Sequence, residues 1–158
     1  MNTGVVSSRY AKAFLQFVKE NGRGEEVFMQ VREILAHPES LPDTLEPDIV
    51  RLISLLRQQR RTDYLKLILN TFVRDYCKEE GIVLARVVTA VPSEDLADEV
   101  RSLLETKTGK RVLMESSVDP SLLGGFVVEF DDYRLDASVQ RQLDDIRRQF
   151  VQKNNRII

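Results

Sequence analysis

Apolar side chains recur along the first half of the chain at spacings of three and four, the period of one face of an α-helix. Val6, Tyr10, Ala13, Phe14 and Phe17 form the first such row, and Asn21-Gly22-Arg23-Gly24 interrupts it. Val27, Val31, Ile34 and Leu35 form the next, behind Glu25 and Glu26, whose charge suits a helix N-terminus. His37-Pro38 ends that helix, because a residue before proline is pushed out of the α region. The stretch from there to Pro47 holds three prolines and leaves room for a single helical turn. Pro47 suits the first turn of a third helix, with Val50, Ile53, Leu56 and also Leu55 as its apolar positions. Beyond Arg60-Arg61-Thr62-Asp63, Leu65, Ile68, Leu69, Phe72 and Tyr76 mark a fourth, which Gly81 can stop.

The period then changes. Leu84 to Val91 is β-branched and reads as a strand. Ser93 is placed to cap a helix whose first turn holds Glu94 and Asp95 and whose inward positions are Leu96, Val100, Leu103 and Leu104. Gly109 ends it, and Arg111 to Val118 reads as a second strand. Phe126, Val128 and Phe130 alternate with Val127 and Glu129, which predicts a third. Asp131-Asp132 can turn the chain into a short return strand, Tyr133 to Leu135. Asp136 or Ser138 caps a last helix, where Val139, Leu143, Ile146 and Phe150 repeat at helical spacing. The fold class is therefore α+β in two parts. An antiparallel helical bundle over 1–80 precedes a small α/β domain over 81–158, with the junction near residues 78–83.

Charge adds little to this picture and excludes something. The 158 residues carry 23 basic and 25 acidic side chains. Residues 1–80 hold 12 of each and residues 81–158 hold 11 and 13, so neither half is a basic lobe built for nucleic acid or anionic lipid. Cys77 is the only cysteine, so no intrachain disulfide forms. The N-terminal residues lack the basic and apolar run of a signal peptide. No apolar stretch reaches the ~20 residues of a membrane span, so any membrane location is expected to come through a partner.

Candidate chemistry is sparse. His37, the one histidine, stands beside a proline, and Cys77 has no obvious neighbour to lower its pKa. No metal-ligand spacing is present, and no cofactor is expected. Gly109-Lys110 fails as a phosphate loop, because Leu104 and Arg111 stand where glycine and Ser or Thr are required. Gly124-Gly125 reads as a bend entering a strand. Two basic clusters, Arg57/Arg60/Arg61 and Arg147/Arg148/Lys153/Arg156, have acidic neighbours in Asp63 and in Asp144 and Asp145. They read as solvated helix faces, with a nucleic-acid-binding module on Arg57, Arg60 and Arg61 as the alternative.

The first helix carries more apolar surface than a small bundle requires. Tyr10, Phe14 and Phe17 supply a core-facing row, and Ala11, Leu15 and Val18 add a second, about 100° around the axis. Either this is a central helix touching several neighbours, or its extra face belongs to a groove that takes a partner helix.

Three ordered motifs carry a resemblance across residues 9–143. They are Arg9-Tyr10-Ala11-Lys12-Ala13-Phe14, then Thr89-Ala90-Val91-Pro92-Ser93, then Asp119-Pro120-Ser121-Leu122-Leu123-Gly124-Gly125-Phe126-Val127-Val128 with Asp136-Ala137-Ser138-Val139 and Leu143. Together they resemble the delta subunit family of F-type ATP synthases, which includes the mitochondrial oligomycin-sensitivity-conferring protein. The resemblance implies a non-catalytic stator subunit on the cytoplasmic face of the inner membrane, linking catalytic head to peripheral stalk and resisting rotor torque. It implies a bundle of about six helices whose groove takes the N-terminal helix of an alpha subunit. Tyr10, Ala13 and Phe14 would line that groove on the first helix, with Leu52, Leu55 and Leu56 opposite. It implies a C-terminal domain contacting b-type stalk subunits somewhere on 112–150, with Gly124, Gly125, Asp136 and Ser138 as structural motif positions. No nucleic acid and no direct membrane insertion are expected. Two departures stand out. The chain is short for the family around residues 36–47, and the turn before the last bundle helix reads Gln58-Gln59-Arg60-Arg61 without a glycine.

Overall fold

The computed structural model describes residues 3–154, which divide after Glu80 into two compact units. The first unit contains helices α1 (Thr3–Glu20), α2 (Gly24–Ala36), α3 (Pro47–Gln58) and α4 (Leu65–Glu80), with a single three-ten turn at Thr62–Tyr64. Four α-helices thus stand, among the described residues, where the family resemblance implies about six. Residues 37–46 contain no helix, only one tight turn in which the Ser40 N–H donates to the His37 carbonyl at 3.0 Å. Their far end is held by one side chain of α2: Gln30 accepts from the Glu46 N–H at 2.6 Å and donates to the Thr44 carbonyl at 2.8 Å. That satisfies backbone groups a helix would have satisfied internally.

Both α1 and α2 pack on α4. The contact is aromatic: the rings of Phe14 and Phe72 lie 5.0 Å apart and tilted, and Phe28 stacks on Tyr76 at 4.4 Å. Ser7, Ala11, Leu15 and Val18 form the buried row of α1, and Val27, Phe28 and Val31 that of α2. In α3 the buried row is Ile49, Leu52 and Leu56, whereas Val50 and Leu55 are exposed and Ile53 is half-buried. The predicted row of α3 is therefore rotated by about one residue, 100° of helix. At the ends of α1 and α4, Lys19 bridges Glu79 at 2.6 Å and Glu80 at 2.8 Å, which holds its ammonium pKa well above the ordinary lysine range.

The second unit is a four-stranded sheet in the order β2-β1-β3-β4, from β1 (Ile82–Thr89), β2 (Arg111–Val118), β3 (Phe126–Phe130) and β4 (Tyr133–Asp136). β1 and β2 run parallel, joined through α5 (Glu94–Thr108), with Val83 beside Val112. The β1–β3 and β3–β4 pairs are antiparallel, with Val87 beside Val128. Val83, Ala85, Val87, Val112 and Val128 form one buried face, covered by Leu104, Ala97 and Val100 of α5. Leu103, expected inside, is exposed. Ser93 occupies the N-cap position of α5, but its side chain makes no capping bond there. Helix α6 (Val139–Asn154) follows β4, and its row Val139, Leu143, Ile146 and Phe150 is exposed, Phe150 to 65%.

Two distant stretches of the motif meet at the start of α6. The Gly124 carbonyl accepts from the Val139 N–H at 3.0 Å, and the Phe126 carbonyl from the Ala137 N–H at 2.9 Å. Asp136 accepts from both the N–H and the hydroxyl of Ser138, and the Ser138 hydroxyl oxygen accepts from the Arg141 N–H at 3.3 Å. Ser138 thus caps α6, and Asp136 orients the cap.

Candidate partner-binding groove

Helix α1 has two apolar rows, and the tertiary structure reverses the roles that spacing alone suggested, leaving Tyr10 and Ala13 open on the side where the family resemblance implied a groove. Ala11, Leu15 and Val18 go into the core, with Ser7 in line. Small side chains at positions 7 and 11 suit close approach of the neighbouring helix. Tyr10, Ala13 and Phe17 are left open, and Phe14 lies between the two rows. Helix α3 runs antiparallel to α1: its first turn lies by Asn21, after the end of α1, while Arg61, beyond its C-terminus, reaches back to Tyr10. The two backbones stay largely apart.

Between them lies a groove of about 320 Å³, lined by Tyr10, Ala13, Phe14 and Phe17 from α1 and by Asp48, Arg51, Leu52 and Leu55 from α3. Phe14 and Leu52, each 5% exposed, form its floor. Tyr10 and Phe17 are half-buried walls, and Ala13 and Leu55 are exposed at the edge. A volume of that size, almost entirely apolar and open along one side, suits side chains from one face of a helix.

Its polar groups cluster at the ends. Arg51 places its guanidinium carbon 5.4 Å from the centre of the Phe17 ring. Arg61 places its own 5.8 Å from the Tyr10 ring centre and donates to the Tyr10 hydroxyl at 3.0 Å. The Asp48 carboxylate accepts from the Asn21 side-chain amide at 3.2 Å. Its second oxygen is buried and makes no hydrogen bond among the described residues.

Of the sequence-predicted groove residues, Tyr10, Ala13, Phe14, Leu52 and Leu55 come together here. Leu56 does not. It is fully buried in the bundle core, because the row Ile49, Leu52, Leu56 turns it inward and leaves Leu55 facing out. Sequence reasoning missed Phe17, Asp48 and Arg51 as lining residues. Their signal was available as helical spacing: Phe17 lies seven residues after Tyr10, and Asp48 and Arg51 lie four before Leu52 and Leu55.

Elsewhere the candidate chemistry stays quiet. Among the described residues, no group of three or more His, Cys, Asp or Glu side chains is placed to hold a metal. Cys77 is buried, and His37 is exposed beside Glu39. Arg57 and Arg60 are exposed, but Arg61 turns onto Tyr10. Arg147 and Arg148 lie exposed on α6, while Arg156 and the side chain of Lys153 lie outside the described residues. Among the described residues, no helix is long and apolar enough to cross a membrane.

Comparison with known proteins gives a consistent answer. The family described as ATP synthase delta (OSCP) subunit matches residues 37–150. The ATP synthase subunit delta of Bacteroides thetaiotaomicron is 31% identical over 186 aligned positions that cover both chains completely. That of an Anaeromyxobacter species is 32% identical over 179 positions, covering 96% of this chain and all of the relative. These alignments are longer than the 158 residues here, so the relatives carry positions without a counterpart in this chain. Among solved structures, a chain of the Toxoplasma gondii mitochondrial ATP synthase hexamer shares the fold, with a TM-score of 0.63 at 17% identity over 92% of this chain and 97% of that one. The motifs, the two-part fold and the full-length relatives agree that this chain belongs to the ATP synthase delta (OSCP) subunit family.

Proposed function

We propose that this chain is a non-catalytic stator adaptor, holding the catalytic head of a rotary ATP synthase to its peripheral stalk against rotor torque. The observation that carries the reading is the open apolar groove between α1 and α3 in a member of this family. A small bundle that leaves Ala13 and Leu55 exposed and Tyr10 and Phe17 only half-buried around one apolar groove has reserved a face for something else. The occupant proposed is the N-terminal helix of an alpha subunit, laid lengthwise along the groove.

The second grip is placed on the C-terminal unit, within residues 112–150, toward b-type stalk subunits. Leu143, Ile146 and Phe150 on α6 support it, since they present an apolar stripe that the unit's own core leaves uncovered. Head and stalk held by separate units of one chain make a mechanical link, and such a link needs affinity rather than reactive groups. The location that follows is peripheral, at the cytoplasmic face of the membrane carrying the synthase. The nucleic-acid reading loses support, because Arg61 is engaged with Tyr10 at the groove instead of joining an open basic face.

The test is calorimetric titration of the full chain with the N-terminal peptide of the alpha subunit from the same organism. Saturable one-to-one binding is expected, and Ala13→Asp should weaken it at least tenfold by placing an unpaired carboxylate in an apolar contact (~1.4 kcal/mol or more). An alpha peptide that fails to bind the wild-type chain overturns the groove assignment.

A further inference from the structure

We propose that the groove selects its occupant by charge as well as by shape. The helix it takes carries two carboxylates seven or eight residues apart, one meeting Arg51 and the other Arg61, with apolar side chains between them. This rests on the reading of the groove as a helix site and adds what that helix must look like.

The two arginines come from α3 and from the turn that follows it, yet each lies over an aromatic wall of α1, Arg51 by Phe17 and Arg61 by Tyr10. Those walls are seven residues apart on one helix, roughly 10 Å along its axis at 1.5 Å per residue. The cations therefore mark the two ends of the groove. Some cations of the chain have found carboxylates, among them Lys19, Arg101 and Arg134, and others, such as Arg57 and Arg60, stand in open solvent; Arg51 and Arg61 differ from both in lying over the aromatic walls of an apolar groove. Among the described residues, neither Arg51 nor Arg61 has a carboxylate within ion-pair distance.

Filling the groove changes the standing of both groups. A helix pressed between Tyr10 and Phe17 takes water away from the guanidiniums beside those rings. A cation that loses water without gaining a counter-charge opposes binding. A guanidinium can keep its face on a ring and still give edge N–H donors to a carboxylate. The occupant thus does best with acids at the groove ends.

The experiment is a double-mutant cycle by calorimetry, using the full chain and the N-terminal peptide of the same organism's alpha subunit. The peptide's sequence is the first readout: a pair of Asp or Glu at the stated spacing, bracketing apolar residues, is expected. Arg51→Gln and Arg61→Gln should each weaken binding by about 3- to 10-fold. Changing the matching peptide acid to its amide should then add little further loss. Raising salt from about 50 to about 500 mM should weaken the wild-type pair and leave the doubly substituted chain nearly unaffected. Arg61 also supports Tyr10, so thermal unfolding accompanies each variant, and non-additivity in the cycle, which a packing defect would not produce, carries the conclusion. Affinity unchanged by both arginine substitutions, or equal binding by a peptide without the acid pair, overturns the charge inference alone. Absence of wild-type binding removes the groove reading and this inference together.

Discussion

Gly125→Ala should be far more disruptive than Gly109→Ala, although the two glycines have nearly the same φ. Their φ angles are +73° and +66°, in the left-handed region where an L side chain is disfavoured by about 1–2 kcal/mol. That contribution is common to both substitutions. The surroundings differ. A Cβ on Gly109 would have no heavy atom within 4 Å. A Cβ on Gly125 would lie 2.2 Å from the Ala137 carbonyl oxygen and 3.1 Å from Ser138 Cα. Both obstacles are backbone and cannot swing aside. Relief requires moving the 137–138 segment by about 1 Å, which disturbs the bonds from Ala137 to Phe126 and from Val139 to Gly124. At about 1 kcal/mol for each bond, the total reaches roughly 3–4 kcal/mol, against 1–2 for Gly109→Ala. Urea unfolding followed by far-ultraviolet circular dichroism measures the difference. Hydrogen exchange adds the location, since the amides of Ala137 and Val139 should lose protection first. If both variants unfold at the same urea concentration with the same exchange pattern, the argument from close backbone approach fails.

Three further outcomes follow from the same structure. Leu56→Ala should destabilise the bundle by about 2–5 kcal/mol in urea unfolding, whereas Leu55→Ala should leave stability within about 1 kcal/mol and weaken alpha-peptide binding instead. Arg60 closes α3 with a φ of +53°, and the Arg61 N–H bonds the Leu56 carbonyl across that turn, so Arg60→Gly should raise bundle stability by about 1 kcal/mol in the same assay. The Ser138 hydroxyl and N–H, and more distantly Arg141 and Arg134, hold the Asp136 carboxyl below its ordinary pKa. A depressed folded pKa contributes stability that is present above the unfolded value and lost as pH falls through the folded one. The α6 cap should therefore weaken below about pH 4, and Asp136→Asn should flatten that part of the acid titration followed by helical circular dichroism.

Much of the architecture can be read directly from residue order. The rows Ile68, Leu69, Phe72, Tyr76 and Val27, Val31 announce helices because a period of 3.6 forces a single buried side. The alternation Phe126, Val128, Phe130 announces a strand for the corresponding reason at a period of two. Family membership was legible too, because the motif around Gly124, Gly125, Asp136 and Ser138 is a set of local turn and cap requirements. Each is met by one residue type, with close approach or a positive φ for the glycines and side-chain acceptors for Asp136 and Ser138.

Rotation of a helix about its own axis was not legible. On α1, two apolar rows stand about 100° apart, and composition alone favoured the aromatic one for the core. Packing on α4 chose the row with Ser7 and Ala11 and left Tyr10 and Phe17 as walls of a groove. The same ambiguity separated Leu55 from Leu56, neighbours of identical chemistry. Sequence determines which residues share a helix face, because that follows from bonds within one segment. Which face is buried depends on what another segment presents, and only the assembled bundle supplies that.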